Sequence, residues 1–69
     1  MTKSETVSTA KEYVSITDIF LVGSYNHIEH VKEYLKKDVG AQLALTLSQA
    51  NIASAIRQLD RMMDRLESN

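Results

Sequence analysis

The residues best suited to metal or acid–base chemistry are His27 and His30, with Glu29 between them. Imidazole and carboxylate groups are zinc ligands, and residues three apart lie on the same side of a helix. The chain has no cysteine, and no acidic cluster stands beside the histidines to complete a coordination shell. We therefore interpret both as solvated helix histidines, and we predict no metal, no cofactor and no catalytic residue.

Other catalytic patterns find as little support. The two glycines, Gly23 and Gly40, stand far apart, so no glycine-rich loop can hold a phosphate group. No spacing of serine, histidine and acid indicates a nucleophile. A chain of 69 residues built from a few helices offers no enclosed pocket of enzyme size. We expect a protein without enzymatic activity.

Composition favours long helices in a protein of the cytoplasm. The chain has no proline and no cysteine, which argues against a turn-rich β fold and excludes disulfides. Its net charge is −1, so no basic field attracts nucleic acid or anionic lipid. No apolar run approaches the roughly 18 residues of a membrane span. The polar N-terminus has no signal-peptide pattern, so we expect a cytoplasmic protein.

The pattern along the chain predicts two helices. Residues 1–9 are polar and predict a flexible arm, followed by helix 1 at about 15–38 and helix 2 at about 42–66. Possible capping boxes at Thr9 and Ser15 place the start of helix 1 near 10 or near 16. Gly40 predicts the end of this helix, with the turn at 39–41.

One stretch allows a second interpretation. Tyr13 to Val22 is rich in β-branched and aromatic residues and is followed by Gly23 and Ser24, which also fits a strand with a turn. Helix is preferred, because the spacing of seven continues through Val14 and Leu21 and no second strand is present to pair.

Each predicted helix carries two neighbouring rows of residues spaced by seven. In helix 1 these are Val14, Leu21, Ile28, Leu35 and Tyr13, Phe20, His27, Tyr34; in helix 2 they are Leu45, Ile52, Leu59, Leu66 and Ala41, Ser48, Ala55, Met62. The pattern predicts an all-α fold, a two-helix antiparallel hairpin. One hairpin covers only one side of each apolar face, so we expect a homodimer that forms a four-helix bundle.

Helix 1 has more apolar surface than one such interface needs. Ile19 and Val22 extend it, with Ile16 nearby. The surplus indicates either a wider dimer interface or a docking surface for another protein. Large aromatic side chains usually carry most of the binding energy at such surfaces. The candidate partner-binding residues are the apolar and aromatic side chains Ile16, Ile19, Phe20, Val22, Tyr25 and Tyr34.

Residues 41–60 are similar to the helix-turn-helix of Cro-type repressors and LysR-type regulators. The resemblance rests on Ala41, Leu45, Leu47, Ser48, Gln49, Ile52, Ile56 and Leu59. It implies a small DNA-binding regulator in which Ser48, Gln49, Asn51 and Arg57 face the groove. Thr46 stands where the Cro-type turn has glycine, and the unbroken spacing from Leu45 to Leu66 predicts one continuous helix instead.

The whole chain, by its size, slight acidity and helix pattern, resembles small phage-encoded anti-activators of bacterial quorum sensing. These are helical-hairpin homodimers that bind a LuxR-type transcription activator and keep it from DNA, and a pilus-assembly ATPase is a second kind of target. The resemblance implies a non-enzymatic, protein-binding inhibitor that acts in the host cytoplasm.

Overall fold

The computed structural model describes residues 2–68 and consists of two long helices. Helix α1 spans Lys3–Tyr34 and helix α2 spans Val39–Ser68. They pack side by side as a hairpin that measures 53 × 14 × 14 Å. The predicted all-α helical hairpin is confirmed, and residues 2–68 contain no strand.

Helix α1 begins at the N-terminal end of the described chain. The Glu5 amide donates to Thr2 Oγ1 at 3.1 Å, and the Thr2 amide donates to Glu5 Oε2 at 3.2 Å. This capping box satisfies amides that the first helical turn leaves without partners. The flexible arm predicted for residues 1–9 is therefore wrong from Lys3 onward, while Met1 lies outside the described residues. Thr9 and Ser15 lie inside α1 and do not cap it.

The β-branched stretch from Tyr13 to Val22 is helical, so the alternative strand is wrong. Thr17 Oγ1 donates to the Tyr13 carbonyl at 2.7 Å, the usual way in which a threonine is accommodated within a helix. A strand would also need a partner strand, and the other long apolar segment of the chain forms helix α2. Tertiary packing therefore outweighs the β propensity of this stretch.

The connection between the helices, residues 35–38, comes earlier than predicted. The Leu35 amide donates to the Val31 and Lys32 carbonyls and ends α1. Asp38 starts α2, because its Oδ1 accepts from the Ala41 amide at 3.0 Å. Gly40 lies within the first turn of α2 and has no positive φ, so it does not end helix 1, and the predicted turn at 39–41 is wrong.

Helix α2 runs without interruption through residues 41–60. A helix-turn-helix needs two helices at a steep angle joined by a short turn within this segment. That geometry is not formed, because Thr46 and its neighbours continue the helix and Leu45, Ile52 and Leu59 keep one side of it against α1.

Neither described helix combines the length and the apolar character that crossing a bilayer requires.

The two helices meet along a seam. The seam is defined here as the residues of each helix that pack against the other helix, and along the chain they follow one another at alternating spacings of three and four. One row of the seam was predicted: Val14, Leu21 and Ile28 of α1 and Leu45, Ile52, Leu59 and Leu66 of α2 are all half-buried. The other row consists of Lys11, Asp18, Tyr25 and Lys32 from α1 and Gln42, Gln49, Ile56 and Met63 from α2.

The row that contains Phe20 points away from α2, and the row that contains Ala55 lies beside the seam, so neither of these two predicted rows forms the second row of the seam. Consecutive helical residues point about 100° apart, so Phe20 points away when Leu21 enters the seam. Leu35 lies beyond the end of α1 and is exposed. Within residues 2–68 no apolar side chain is fully buried, so the hairpin alone has no closed hydrophobic core.

Gly23 gives a first test of this packing. A Cβ built at Gly23 meets no atom within 4 Å, so no close approach inside the hairpin requires glycine there. Gly23→Ala should raise the free energy of unfolding by about 0.5–1 kcal/mol, because alanine loses less backbone entropy in a helix. Urea unfolding followed by circular dichroism measures the change. A loss of stability would show that another chain packs closely against Gly23.

Candidate functional site

The first candidate site is the pair of histidines on α1. His27 and His30 are exposed on α1. Among residues 2–68, no group of three or more histidine, cysteine or acidic residues is placed to hold a metal ion. The surface hollows are open to solvent; one is lined by polar and charged side chains that include Lys3, Lys11 and Glu67, and another by mainly apolar ones.

A polar cluster lies in the seam near the connection, centred on Gln49, which is only 4% exposed. Its Oε1 accepts from Lys32 Nζ at 3.1 Å. Its Nε2 donates to Glu29 Oε1 at 2.8 Å and to the Tyr25 carbonyl at 3.3 Å. Because its amide is fully hydrogen-bonded between the helices, Gln49 is not available to a DNA groove, which corrects the role that the helix-turn-helix resemblance implied.

The other residues of that resemblance point outward. Ser48, Asn51 and Arg57 are exposed, and Ser48 Oγ donates to the Ala44 carbonyl at 3.1 Å. They lie on one straight helix without the second helix that would orient it on a duplex. The structure does not bring the four residues together on one surface.

The same cluster fixes the carboxylate of Glu29. The hydrogen bond from Gln49 lowers the pKa of Glu29 below its usual value, and the nearby charge of Lys32 adds to the effect. Gln42 completes the cluster, because its Nε2 donates to the carbonyls of Lys32 and Leu35, each at 2.9 Å. Gln42 thus caps the C-terminal end of α1 from the opposite helix.

The polar cluster was not predicted from the sequence. The signal was present as Gln42 and Gln49, two amides spaced by seven in step with the apolar row of α2. Polar residues at single seam positions typically fix the register of packed helices. We infer that these glutamines specify how α1 and α2 align.

One side of the hairpin is named here the aromatic flank. Its outer row on α1 is Tyr13, Phe20, His27 and Tyr34, and its inner rows beside the seam are Ala10, Thr17, Ser24 and Val31 of α1 and Ala41, Ser48, Ala55 and Met62 of α2. Ala10 and Met62 line a common shallow groove, which places the two helices' inner rows on the same side. Phe20 is 71% and Tyr34 89% exposed.

The other side is named the opposite flank. From α1 it contains Glu12, Ser15, Ile19, Val22, Asn26, Glu29 and Glu33, and from α2 Thr46, Ala53, Asp60 and Glu67. Val22, Asn26 and Ala53 line a second groove with the seam residues Tyr25 and Ile56. Ile19 is 70% exposed, one helical turn from Val22. An apolar patch therefore lies on this flank among acidic side chains.

The predicted partner-binding residues do not form one surface. Phe20 and Tyr34 lie on the aromatic flank, and Ile19 and Val22 lie on the opposite flank. Ile16 is exposed on the outward side of α1 beside Ile19. Tyr25 is half-buried in the seam and lines the groove together with Val22.

Comparisons of the chain with protein-family models, with curated proteins and with solved structures found no match in any of the three.

Proposed function

We propose that this chain is a non-enzymatic, protein-binding inhibitor that docks on another protein through the opposite flank. The observation that carries the proposal is the apolar patch of Ile16, Ile19 and Val22, whose side chains are all exposed in the hairpin. Exposed apolar patches of this kind, rimmed by polar groups, are typical of protein interaction sites.

The form of the patch supports docking by a protruding side chain. Val22 borders the groove that Asn26, Ala53 and Ile56 also line, and its walls are mainly apolar. An apolar anchor of a partner would be desolvated there, which is where interfaces gain most of their energy. The groove is too shallow and open to enclose a small substrate.

The charges around the patch favour a basic partner. Glu12, Glu29 and Asp60 lie on the same flank as the apolar residues; Lys32 Nζ pairs with Glu29 Oε1 at 3.6 Å, and Arg57 stands one helical turn before Asp60. Acidic groups at the rim steer a positively charged surface toward the patch. The DNA-binding surface of a transcription factor is such a surface, and the resemblance to quorum-sensing anti-activators narrows the proposed partner to a LuxR-type activator. A pilus-assembly ATPase is the second target that the same resemblance proposes.

The test is displacement of a purified LuxR-type activator from a fluorescently labelled operator duplex, followed by anisotropy. We expect the wild-type protein to release the duplex, and Ile19→Ser with Val22→Ser to weaken the release by about a hundredfold or more. Each buried aliphatic side chain contributes about 1.5–3 kcal/mol, and serine removes that contribution. Leu47→Ser, an equally simple change on the outer side of α2, is the matched control.

Two outcomes would contradict the proposal. Equal loss in Leu47→Ser and in the double variant would show that the patch is not the docking surface. Salt-sensitive binding of the protein to the duplex without activator would favour a DNA-binding function instead. Circular dichroism of each variant verifies that helicity is unchanged.

A further inference from the structure

We propose that the C-terminal half of α2 binds a helix of another protein that carries carboxylates four residues apart. The site is the arginine row, defined as Arg57, Arg61 and Arg65, which are all the arginines of the chain. The row lies on the outer side of α2, whereas the apolar patch with Ile19 lies on α1. The inference therefore goes beyond the proposed function and does not rest on it.

The arginine row has a regular spacing. Residues four apart on a helix form one ridge, and each step along that ridge rises about 6 Å. All three arginine side chains are exposed. Each guanidinium group holds its N–H donors in a planar fork that matches a carboxylate with two hydrogen bonds. A partner helix with acidic residues four apart repeats the same step, so three such pairs form together.

The arginines are not neutralised within the hairpin. Asp60 and Asp64 follow Arg57 and Arg61 at a spacing of three, which allows ion pairs on a helix. The two ion pairs among residues 2–68 instead join a lysine to the glutamate three residues before it, at 3.6 and 3.2 Å. An acid before a base is the favourable order along a helix, and α2 has the reverse order. The guanidinium groups are left to a partner.

The charges along this part of α2 alternate in sign, because Asp60 and Asp64 lie between successive arginines. A nucleic-acid backbone is negative throughout and brings phosphates near these aspartates as well. A protein helix can instead place an acidic residue opposite each arginine and a basic residue opposite each aspartate, which avoids contacts between like charges. The alternation, in a chain with a net charge of −1, favours a protein helix over a nucleic acid.

An apolar groove adjoins the end of the arginine row. Ala10, Val14, Met62 and Leu66 line it, and Arg65 is its one charged lining residue. Exposed ion pairs contribute little by themselves, because water competes for both charges. An apolar side chain of the partner that enters the groove supplies the larger part of the affinity, and Arg65 binds a carboxylate beside it.

The test uses a defined helical peptide as the probe. The peptide is alanine-based and fluorescently labelled, with three glutamates four residues apart, a lysine between successive glutamates and a leucine one turn beyond the last glutamate. Fluorescence anisotropy at low salt should show binding in the micromolar range. A scrambled peptide of the same composition should bind about tenfold more weakly or less, because its charges do not fall on one ridge.

Matched variants of the protein locate the site. Arg61→Gln should weaken binding of the peptide by about tenfold, because it removes the central carboxylate contact. Arg61→Lys keeps the charge without the fork and should weaken it less. Lys37→Gln removes the same charge from the connection and should leave the dissociation constant within about twofold of wild type. Met62→Ser should also weaken binding, since it removes apolar surface from the groove.

The experiment has clear contrary results. Absence of binding at millimolar peptide, or equal binding of the scrambled peptide, would refute the arginine row as a selective site. Equal losses in Arg61→Gln and Lys37→Gln would show attraction by overall charge alone. A labelled DNA duplex that bound more tightly than the peptide, and lost this binding in Arg61→Gln, would identify phosphate as the ligand and overturn the inference. Circular dichroism verifies that every variant keeps the helicity of wild type.

Discussion

Asp18→Leu is expected to stabilise the protein by about 1–3 kcal/mol. Asp18 occupies a half-buried seam position, and its Oδ1 is buried without a hydrogen-bond partner among residues 2–68. A buried acceptor that lacks a partner costs about that much free energy. Leucine removes the cost and adds apolar contact with the facing row of α2, which contains Ile56 and Met63.

Asp18→Asn is the matched control, because it removes the charge and keeps the shape and a polar atom. We expect it to gain less than the leucine variant. The measurement is the urea midpoint by circular dichroism at one fixed protein concentration, since self-association adds to apparent stability. If Asp18→Leu unfolded at lower urea than wild type, Asp18 would have a stabilising partner in the assembled protein.

Gln49→Ala is expected to destabilise the protein by about 1–3 kcal/mol. The change removes the acceptor of Lys32 Nζ and the donor to Glu29 Oε1, and it leaves the half-buried Lys32 without that hydrogen bond. It also opens space in the seam beside the Tyr25 carbonyl. Urea unfolding at fixed protein concentration measures the loss.

The comparison for Gln49→Ala is the double variant Lys32→Leu with Gln49→Leu, which replaces both members of one hydrogen bond. Replacing both partners by apolar groups of similar size is nearly neutral or stabilising, so we expect it to recover most of the loss. Because polar seam residues specify alignment, the double variant should show a less uniform structure, seen as broadened amide signals by nuclear magnetic resonance. A Gln49→Ala stability within 0.3 kcal/mol of wild type would argue against the cluster.

Several features of the fold were predictable from local chemistry. The rows through Val14 and Leu45, with no proline to interrupt them, predict two helices, and both are present. The helix boundaries were predicted less well. Thr2 with Glu5 caps α1 and Asp38 caps α2, but similar hydroxyl and acidic groups occur elsewhere along the chain and could equally be taken for caps. The residue that caps a helix depends on how far apolar packing extends that helix. The half-buried Val7 and Ala10 extend α1 toward its N-terminal end, so the cap is formed at Thr2.

The candidate interaction surfaces were only partly predictable. Exposed apolar residues on helix 1 follow from their number and spacing, and Ile19, Val22 and Phe20 are indeed exposed. Their division between two flanks was not foreseen, because it depends on the rotation of α1 about its axis. The role of Gln49 was missed for the same reason.

Two amphipathic helices that pair as a hairpin could be predicted from the sequence, since periodicity and capping are local properties. The row of each helix that enters the seam depends on how the two helices pack against each other. Two neighbouring rows spaced by seven were both compatible with packing, and they differ by about 100° of rotation. Contact with the other helix, including the hydrogen bonds of Gln42 and Gln49, selected one of them. The row that contains Phe20 was thereby left on the surface.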